Sequence, residues 1–404
     1  NSLTVQQALL NLDAEKVRLN AAKMEFSPSL EASVGQNFSF GRATTANALI
    51  RDNYSQSSTS FGINLNMPLF TGLKNYNNLK SQQISVKASQ FDLEQNKETI
   101  TLNVIAYYLQ VLLDIEIYNV SVQQLQLSEA QVDRIQLLFQ NGKCAESELF
   151  NAQAIAASDK VVVTQNLNNY RLALLDLAQL INVEDVANFE VEPLADSEIN
   201  LWLNKDIDLQ KTVHSSIENR PQIKAAQLRI DKGLFDIRSA KSGWYPSLGL
   251  TMGYGTSYYY AFGDSIPNIV FGEQFRNHAS PYIMLNLSIP LFDRLRTHHN
   301  VRLAKIERLT QQNRLEEDKR ELTKNIYQAF YNADAAKENL KAATQSVEAS
   351  RLAFQYEEMK YNEGKSTAYQ YSEAKNKYQE ATSQAIRAKY ECAFRMEILE
   401  FYSR

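Results

Sequence analysis

Between Leu73 and Asn141 the chain runs for 69 residues without a glycine or a proline, and between Leu291 and Glu363 it does so for 73. Glycine loosens a helix and proline breaks it, so stretches lacking both can stay helical throughout. At 1.5 Å per residue each would be a helix about 100 Å long, where globular helices average roughly 10 to 14 residues. Coiled coils, bundles and repeats sustain such lengths. Of 21 glycines and prolines, 17 fall into two windows, residues 28–72 and 233–290, which leaves Gly142, Pro193, Pro221 and Gly364 outside. Together they make up about 5% of the 404 residues against about 12% in ordinary proteins. Turns are therefore few, and the two or three globular domains that length alone suggests are disfavoured.

The two windows resemble each other. At an offset of 218, Ala21–Ser33 (AAKMEFSPSLEAS) pairs with Ser239–Thr251 (SAKSGWYPSLGLT), and the match runs without a gap back to Asn1 on Asn219. At an offset of 222, INLNMPLF around Pro68 pairs with LNLSIPLF around Pro290, and FQNGK around Gly142 pairs with YNEGK around Gly364. The chain is a tandem duplication of residues 1–182 and 219–404, with four extra residues in the second window. A connector rich in acidic residues and holding Pro193 lies between them.

Within each window the apolar residues alternate. Leu30, Ala32, Val34, Phe38 and Phe40 follow Pro28, and Phe61, Ile63, Leu65, Met67 and Leu69 surround Pro68. Leu248, Leu250, Met252, Tyr254, Tyr258 and Tyr260 follow Pro246, and Ile283, Leu285, Leu287, Ile289 and Leu291 lead through Pro290. Period two predicts four strands of about ten residues, bounded by Pro28, Pro68, Pro246 and Pro290, with polar loops over 41–60 and 261–280. That length and one apolar face suit a tilted transmembrane β-strand. Aromatics bracket the strands as interfacial girdles would, with Phe26, Phe70, Trp244 and Phe292 at one end and Tyr258, Tyr259, Tyr260 and Phe262 at the other. The pattern equally allows a soluble four-stranded sheet packed on the helices.

Along the long stretches the spacing becomes alternately four and three: Val104, Tyr108, Val111, Ile115, Tyr118, Val122 and Leu125, then Ala333, Ala336, Leu340, Ala343, Val347, Ser350 and Phe354. Such heptads predict coiled-coil seams. Asn141-Gly142 and Glu363-Gly364 each read as a left-handed helix stop followed by a returning helix. Cys144 and Cys392, two and 28 residues past their tip glycines, then stand about 39 Å apart in height and stay unbridged, since a disulfide needs Cα atoms within about 7 Å.

A net charge of −4 argues against nucleic acid as a partner. No apolar run approaches the 18 or so residues of a transmembrane helix. Asn1–Leu12 lacks the basic and apolar regions of a secretory signal, which implies that any signal was removed or never present. Two cysteines and four scattered histidines predict no metal centre, and His298-His299 diverge by about 100° on a helix. No phosphate loop, dinucleotide fingerprint, nucleophile elbow or zinc-protease motif occurs, and Gly253-Tyr254-Gly255 falls inside a strand. Neither an enzyme nor a cofactor is expected.

The duplicated order of helix, Pro-Ser-Leu strand, Pro-Leu-Phe strand, helix of about 70 residues, glycine tip and returning helix resembles the TolC family of outer-membrane efflux proteins over essentially the whole chain. The resemblance implies a mainly α fold with a membrane β-barrel, four strands per chain forming a 12-stranded barrel in a homotrimer that continues into a periplasmic α-helical barrel. Residues 28–72 and 246–292 would be the transmembrane strands with their extracellular loops. Residues 1–27, 73–182, 219–245 and 293–404 would form the helical barrel, and 183–218 an equatorial connector. The implied role is a passive exit duct in the outer membrane of a Gram-negative bacterium, in a tripartite efflux or type I secretion system, opened at its periplasmic tip by an adaptor and an inner-membrane pump.

Counted from the tip glycines, Tyr361 falls on the family's gate tyrosine, Gln370 and Glu373 on its second-half acidic positions, and Glu148 on its first-half acidic position. Gln370 replaces an acid and Ser366 a lock arginine, so the closed network must differ. Lys143 and Lys365 are expected to offset the acids, and Asn141, Gly142, Lys143, Glu363, Gly364 and Lys365 to meet the adaptor. The turns matching Ile199–Glu218 are missing at the N-terminus, consistent with trimming. A rival of another class is a periplasmic coiled-coil scaffold or adaptor without a channel, which would need no detergent.

Overall fold

The computed structural model describes residues 2–41, 43–44, 50–51, 55–183, 185, 188–192, 207–262 and 268–403. Parts of both strand loops and much of the connector, Pro193 and Ile199–Asp206 included, lie outside the described residues. In chain order come α1 (Leu3–Met24), β1 (Ser29–Ser39), β2 (Ala43–Thr44), β3 (Ile50–Arg51), β4 (Ser55–Phe70), α2 (Lys74–Gln140), α3 (Glu146–Ile181), α4 (Leu209–Asn219), α5 (Pro221–Lys241), β5 (Ser247–Phe262), α6 (Phe271–Asn277), β6 (Ser280–Ser288), α7 (Arg296–Asn362) and α8 (Ala368–Ser403). The duplication returns as equal lengths: α2 and α7 both have 67 residues, α3 and α8 both 36. Residues 1–10, 91–224 and 315–404 form one compact unit, and 11–90 with 225–314 another.

The second unit carries an antiparallel sheet in the order β1-β4-β5-β6. Its register, Leu30 opposite Leu65, Leu65 opposite Met252 and Met252 opposite Ile283, carries each alternating apolar set straight across the sheet. That apolar face is bare: Leu30 is 72% exposed, Val34 69% and Ile283 72%. Among the described residues, no long helix packs broadly on the sheet as it would in a soluble sheet. On the other face Tyr282 lies over Gly253 and donates to Asn64 Oδ1 at 2.8 Å, a path that any side chain on Gly253 would block.

The strands depart from the expected ten residues. β4 and β5 have 16 each because polar Ser57, Ser58 and Thr59 continue the ladder against Tyr260, Tyr259 and Tyr258. Part of the expected 41–60 loop is therefore strand, and β2 pairs with β3 inside it. β6 begins only at Ser280, opposite Gly255, so the edge of β5 beyond it needs other partners. Side chains supply them. Asn268 makes both backbone bonds of Ala261 at 2.8 and 2.9 Å, and Gln274 both bonds of Tyr259 at 2.9 Å. His278 reaches Ser257 O at 2.7 Å. These bonds hold α6 in place, and Phe271 meets Tyr258 and Phe61 edge to face. Three of the four boundary prolines flank strands as expected; Pro68 sits inside β4, where a missing donor coincides with a shift in register.

In the first unit α2 packs on two neighbours. Val111, with Val104 and Tyr108, meets Ala173 and Leu177 of α3, as the expected seam requires. A second stripe, Leu109, Leu112 and Ile117, meets Ile386, Tyr390 and Ala393 of α8. Two stripes on one helix correct the reading of its apolarity: α2 contains an 18-residue window apolar enough by composition to cross a membrane. The α7 seam follows its heptads, with Ala333 and Ala336 packed on the fully buried Cys392 and on Met396. Both cysteines are free, though Cys144 lies in the tip turn rather than on the descending helix.

Both tips close the same way. Lys143 N donates to Leu138 O and Gly142 N to Phe139 O, each at 2.8 Å, while Lys365 N donates to Lys360 O at 2.8 Å and Gly364 N to Tyr361 O at 3.1 Å. This is the Schellman pattern, and it needs positive φ at the glycine, 65° at Gly142 and 71° at Gly364. Nothing lies within 4 Å of where a Cβ would stand at either glycine, so the conformation alone opposes a side chain. Gly364→Ala should therefore cost about 1 kcal/mol in denaturant unfolding followed by helical signal, and Gly364→Asn less.

Candidate functional site

The tip of the helical unit gathers most of the residues that the sequence singles out. Tyr361, in the last turn of α7, stacks on Tyr371 of α8 with ring centroids 4.8 Å apart and planes 22° apart. Two residues of α2 hold the same ring. Gln131 Nε2 donates to Tyr361 Oη at 3.2 Å, and the Arg134 guanidinium lies 5.8 Å from the ring centroid while bonding to Asn362 Oδ1. Burial pushes the Tyr361 phenol above its ordinary range, the Glu148 carboxylate adds to this, and Arg134 opposes it.

A narrow cleft of about 50 Å³ joins these groups, with Glu148 of α3, Ile135 of α2, Tyr361 and Tyr371 in its walls. Beside it, Cys144 Sγ donates to Ile135 O at 3.5 Å. Desolvation raises the Cys144 thiol above its ordinary range, and Glu148 raises it further. The structure thus brings Tyr361 and Glu148 together.

Glu373 and Gln370 are placed differently. Glu373 is outside the cleft and pairs with Lys377 at 2.7 Å, one turn along α8. Lys365 pairs with Glu363 at 2.6 Å, across the tip glycine. Gln370 completes a capping box with Thr367: Gln370 N donates to Thr367 Oγ1 at 3.3 Å, and Thr367 N donates to Gln370 Oε1 at 3.2 Å. Ser366 bonds through its hydroxyl to Glu357, which holds that carboxyl below its ordinary range. The cation beside Tyr361 is Arg134, from α2.

Sequence reasoning missed Gln131, Arg134 and Tyr371 because their partners lie 230, 228 and 10 positions away or on another helix. One signal was available for Lys375, which falls on the apolar stripe of α8 between Tyr371 and Tyr378. Among the described residues, no group of three or more histidines, cysteines or carboxylates could hold a metal.

With this geometry in hand, similarity to known proteins becomes specific. The model of a family described as outer membrane efflux protein matches residues 1–183 and 212–399. The chain belongs to this family. The outer membrane protein TolC of Salmonella enteritidis is 23% identical over 395 residues, covering 96% of this chain and 76% of that protein. The structure superposes on a membrane protein of Pseudomonas aeruginosa with a TM-score of 0.82 at 19% identity, covering 100% of this chain and 90% of the other. It superposes on the CmeC outer membrane channel of Campylobacter jejuni with a TM-score of 0.79 at 18% identity, covering 100% and 83%. The chain is accordingly an outer-membrane channel of the efflux class, in a family of ducts rather than enzymes.

Two consequences follow for the helical unit. Thr367→Val should lower unfolding stability by about 1 kcal/mol through loss of the cap, and Gln370→Glu should retain most of it. In non-reducing peptide mapping of native protein, maleimide should label Cys144 slowly and Cys392 only after unfolding, with neither found in an intrachain bridge.

Proposed function

We propose that three copies of this chain close their sheets into a 12-stranded outer-membrane barrel and their helices into a periplasmic barrel, forming a passive exit duct for a tripartite efflux or type I secretion system. The observation that carries this reading is a sheet with a bare apolar face and two edge strands, β1 and β6. In a bilayer no water satisfies unpaired backbone groups, so such a sheet must close on copies of itself. The smallest membrane barrels have about eight strands, which excludes one chain, and resemblance to the family selects three.

The aperture is assigned to Tyr361, Glu148, Glu373 and Gln370. On a threefold axis each inward carboxylate becomes a ring of three, which attracts cations, with Lys377 tempering Glu373. Asn141, Gly142, Lys143, Glu363, Gly364 and Lys365 form the two turns offered to the periplasmic adaptor, which with the pump draws the tip open. Residues 28–72 and 246–292 are assigned to the membrane, 1–27, 73–182, 219–245 and 293–404 to the helical barrel, and 183–218 to its equatorial connector. The partners are outer-membrane lipid, the adaptor and the pump, with no cofactor and no nucleic acid.

Native mass measurement in mild detergent should give a trimer; a monomer would overturn the duct. In planar bilayers at low salt, where screening beyond about 10 Å at 0.1 M is relaxed, Tyr361→Ala should raise resting conductance. Glu148→Gln with Glu373→Gln should lower cation preference. Unchanged conductance and reversal potential in both would place the aperture elsewhere.

A further inference from the structure

An ammonium group is among the costliest side chains to bury in a helical interior, and this chain buries one beside the tip. Lys375 of α8 is 5% exposed, one turn beyond Tyr371. Its Nζ donates to Ser128 Oγ of α2 at 2.7 Å and lies 3.8 Å from Asp159 Oδ2 of α3. The Ser128 hydroxyl bonds onward to Asp159, with Gln124 O at 3.1 Å as its other neighbour. Lysine, serine and aspartate thus form a relay in which one hydroxyl accepts from the cation and donates to the anion, and each member comes from a different helix.

Apolar contacts would hold these helices together at several registers, because alanine and isoleucine stripes slide at little cost. The relay tolerates one. A shift of α8 by a single residue, about 1.5 Å along its axis, breaks a directional bond and leaves a buried charge unpaired. The same cleft that contains Ser128 and Lys375 is lined by Tyr361, Tyr371 and Glu148. The register that Lys375 selects is therefore the one at which Tyr371 lies under Tyr361 and Glu148 stands beside it.

We infer that Lys375, acting through Ser128 and Asp159, is a positioning residue for the tip aperture, locking α8 to α2 and α3 so that Tyr361 of α7 closes against a rigid three-helix body. The inference rests on the tip reading proposed above and adds to it which part is held.

The test uses the assembled full-length protein and two readouts, the alkylation rate of native Cys144 by N-ethylmaleimide and resting conductance in planar bilayers. Cys144 touches Ile135 in the cleft wall, so its alkylation follows the population of loosened tips. Ser128→Ala keeps both charges and should speed alkylation about threefold, while Lys375→Met should speed it about tenfold and raise conductance. Lys375→Met combined with Asp159→Leu leaves no buried charge, so it should melt near the wild-type temperature yet still alkylate about tenfold faster. A purely structural ion pair would instead return both readouts to wild type in that double variant, and this result would overturn the inference. So would faster alkylation with unchanged conductance while Tyr361→Ala still raises it. If Tyr361→Ala has no effect, the aperture reading fails, and Cys144 alkylation in the double variant still decides whether Lys375 sets the register.

Discussion

The apolar face of the four-stranded sheet has no protein to lie against, and the rest of the architecture answers to that. A sheet exposing Leu30, Val34 and Ile283 to water would aggregate, and its edge strands β1 and β6 would recruit any neighbour. In the duct proposed above, lipid would remove the first difficulty and closure with further copies the second. Where β5 outruns β6, the chain covers its own edge, using the amides of Asn268 and Gln274 as substitutes for a strand. The outer pairing surface is thereby confined to the length of β6 and β1.

The helical unit depends on a different balance. Its seams are apolar where α2 meets α3 and α8 through Val111, Leu112 and Ile117, then pass through a polar stretch, Ser121, Gln124 and Ser128, before Ile135 is buried beside the tip. Apolar packing gives adhesion without direction, whereas a buried hydroxyl or charge demands one partner at one distance. The change from leucine to serine and glutamine thus adds specificity to the interface in the stretch of α2 that holds Lys375. Desolvation lowers the pKa of Lys375, and Asp159 counteracts it.

Duplication supplies one scaffold twice, and the differences show what each half was free to change. After each Pro-Leu-Phe the chain takes two consecutive left-handed residues, Gly72-Leu73 in the first half and Arg294-Leu295 in the second. Gly72 admits no side chain because Ser242 O would be 2.8 Å from its Cβ, while its counterpart Arg294 adopts the same φ with one. At the tips, the second helices start alike at Glu146 and Ala368, yet Ala145 makes no side-chain cap where Thr367 and Gln370 build a reciprocal one.

Much of this was legible in the sequence because it is local. Scarce glycine and proline, period-two and heptad spacings, and paired motifs at fixed offsets determined the element order, the tip turns and the duplication, since each depends on backbone freedom or on neighbours within a few residues. The resemblance carried Tyr361 and Glu148 to one place, and the cleft joins them. Other features depended on contacts far apart in the chain. β4 pairs locally with β1 through Ser57–Thr59, but its other edge meets β5, some 200 residues on, and α6 is held by bonds to a strand edge rather than by its own seven residues. Gln370 reads in the sequence as an altered gate position, and its second role, capping α8 with Thr367, appears only in the structure. Lys375 was visible as a lysine on an apolar stripe, but its meaning required Ser128 and Asp159 from two other helices. Spacing determines which face of an element a side chain occupies; only the tertiary structure decides which groups meet there, because hydrogen bonds and charge pairing act over a few ångströms of space, whatever the distance along the chain.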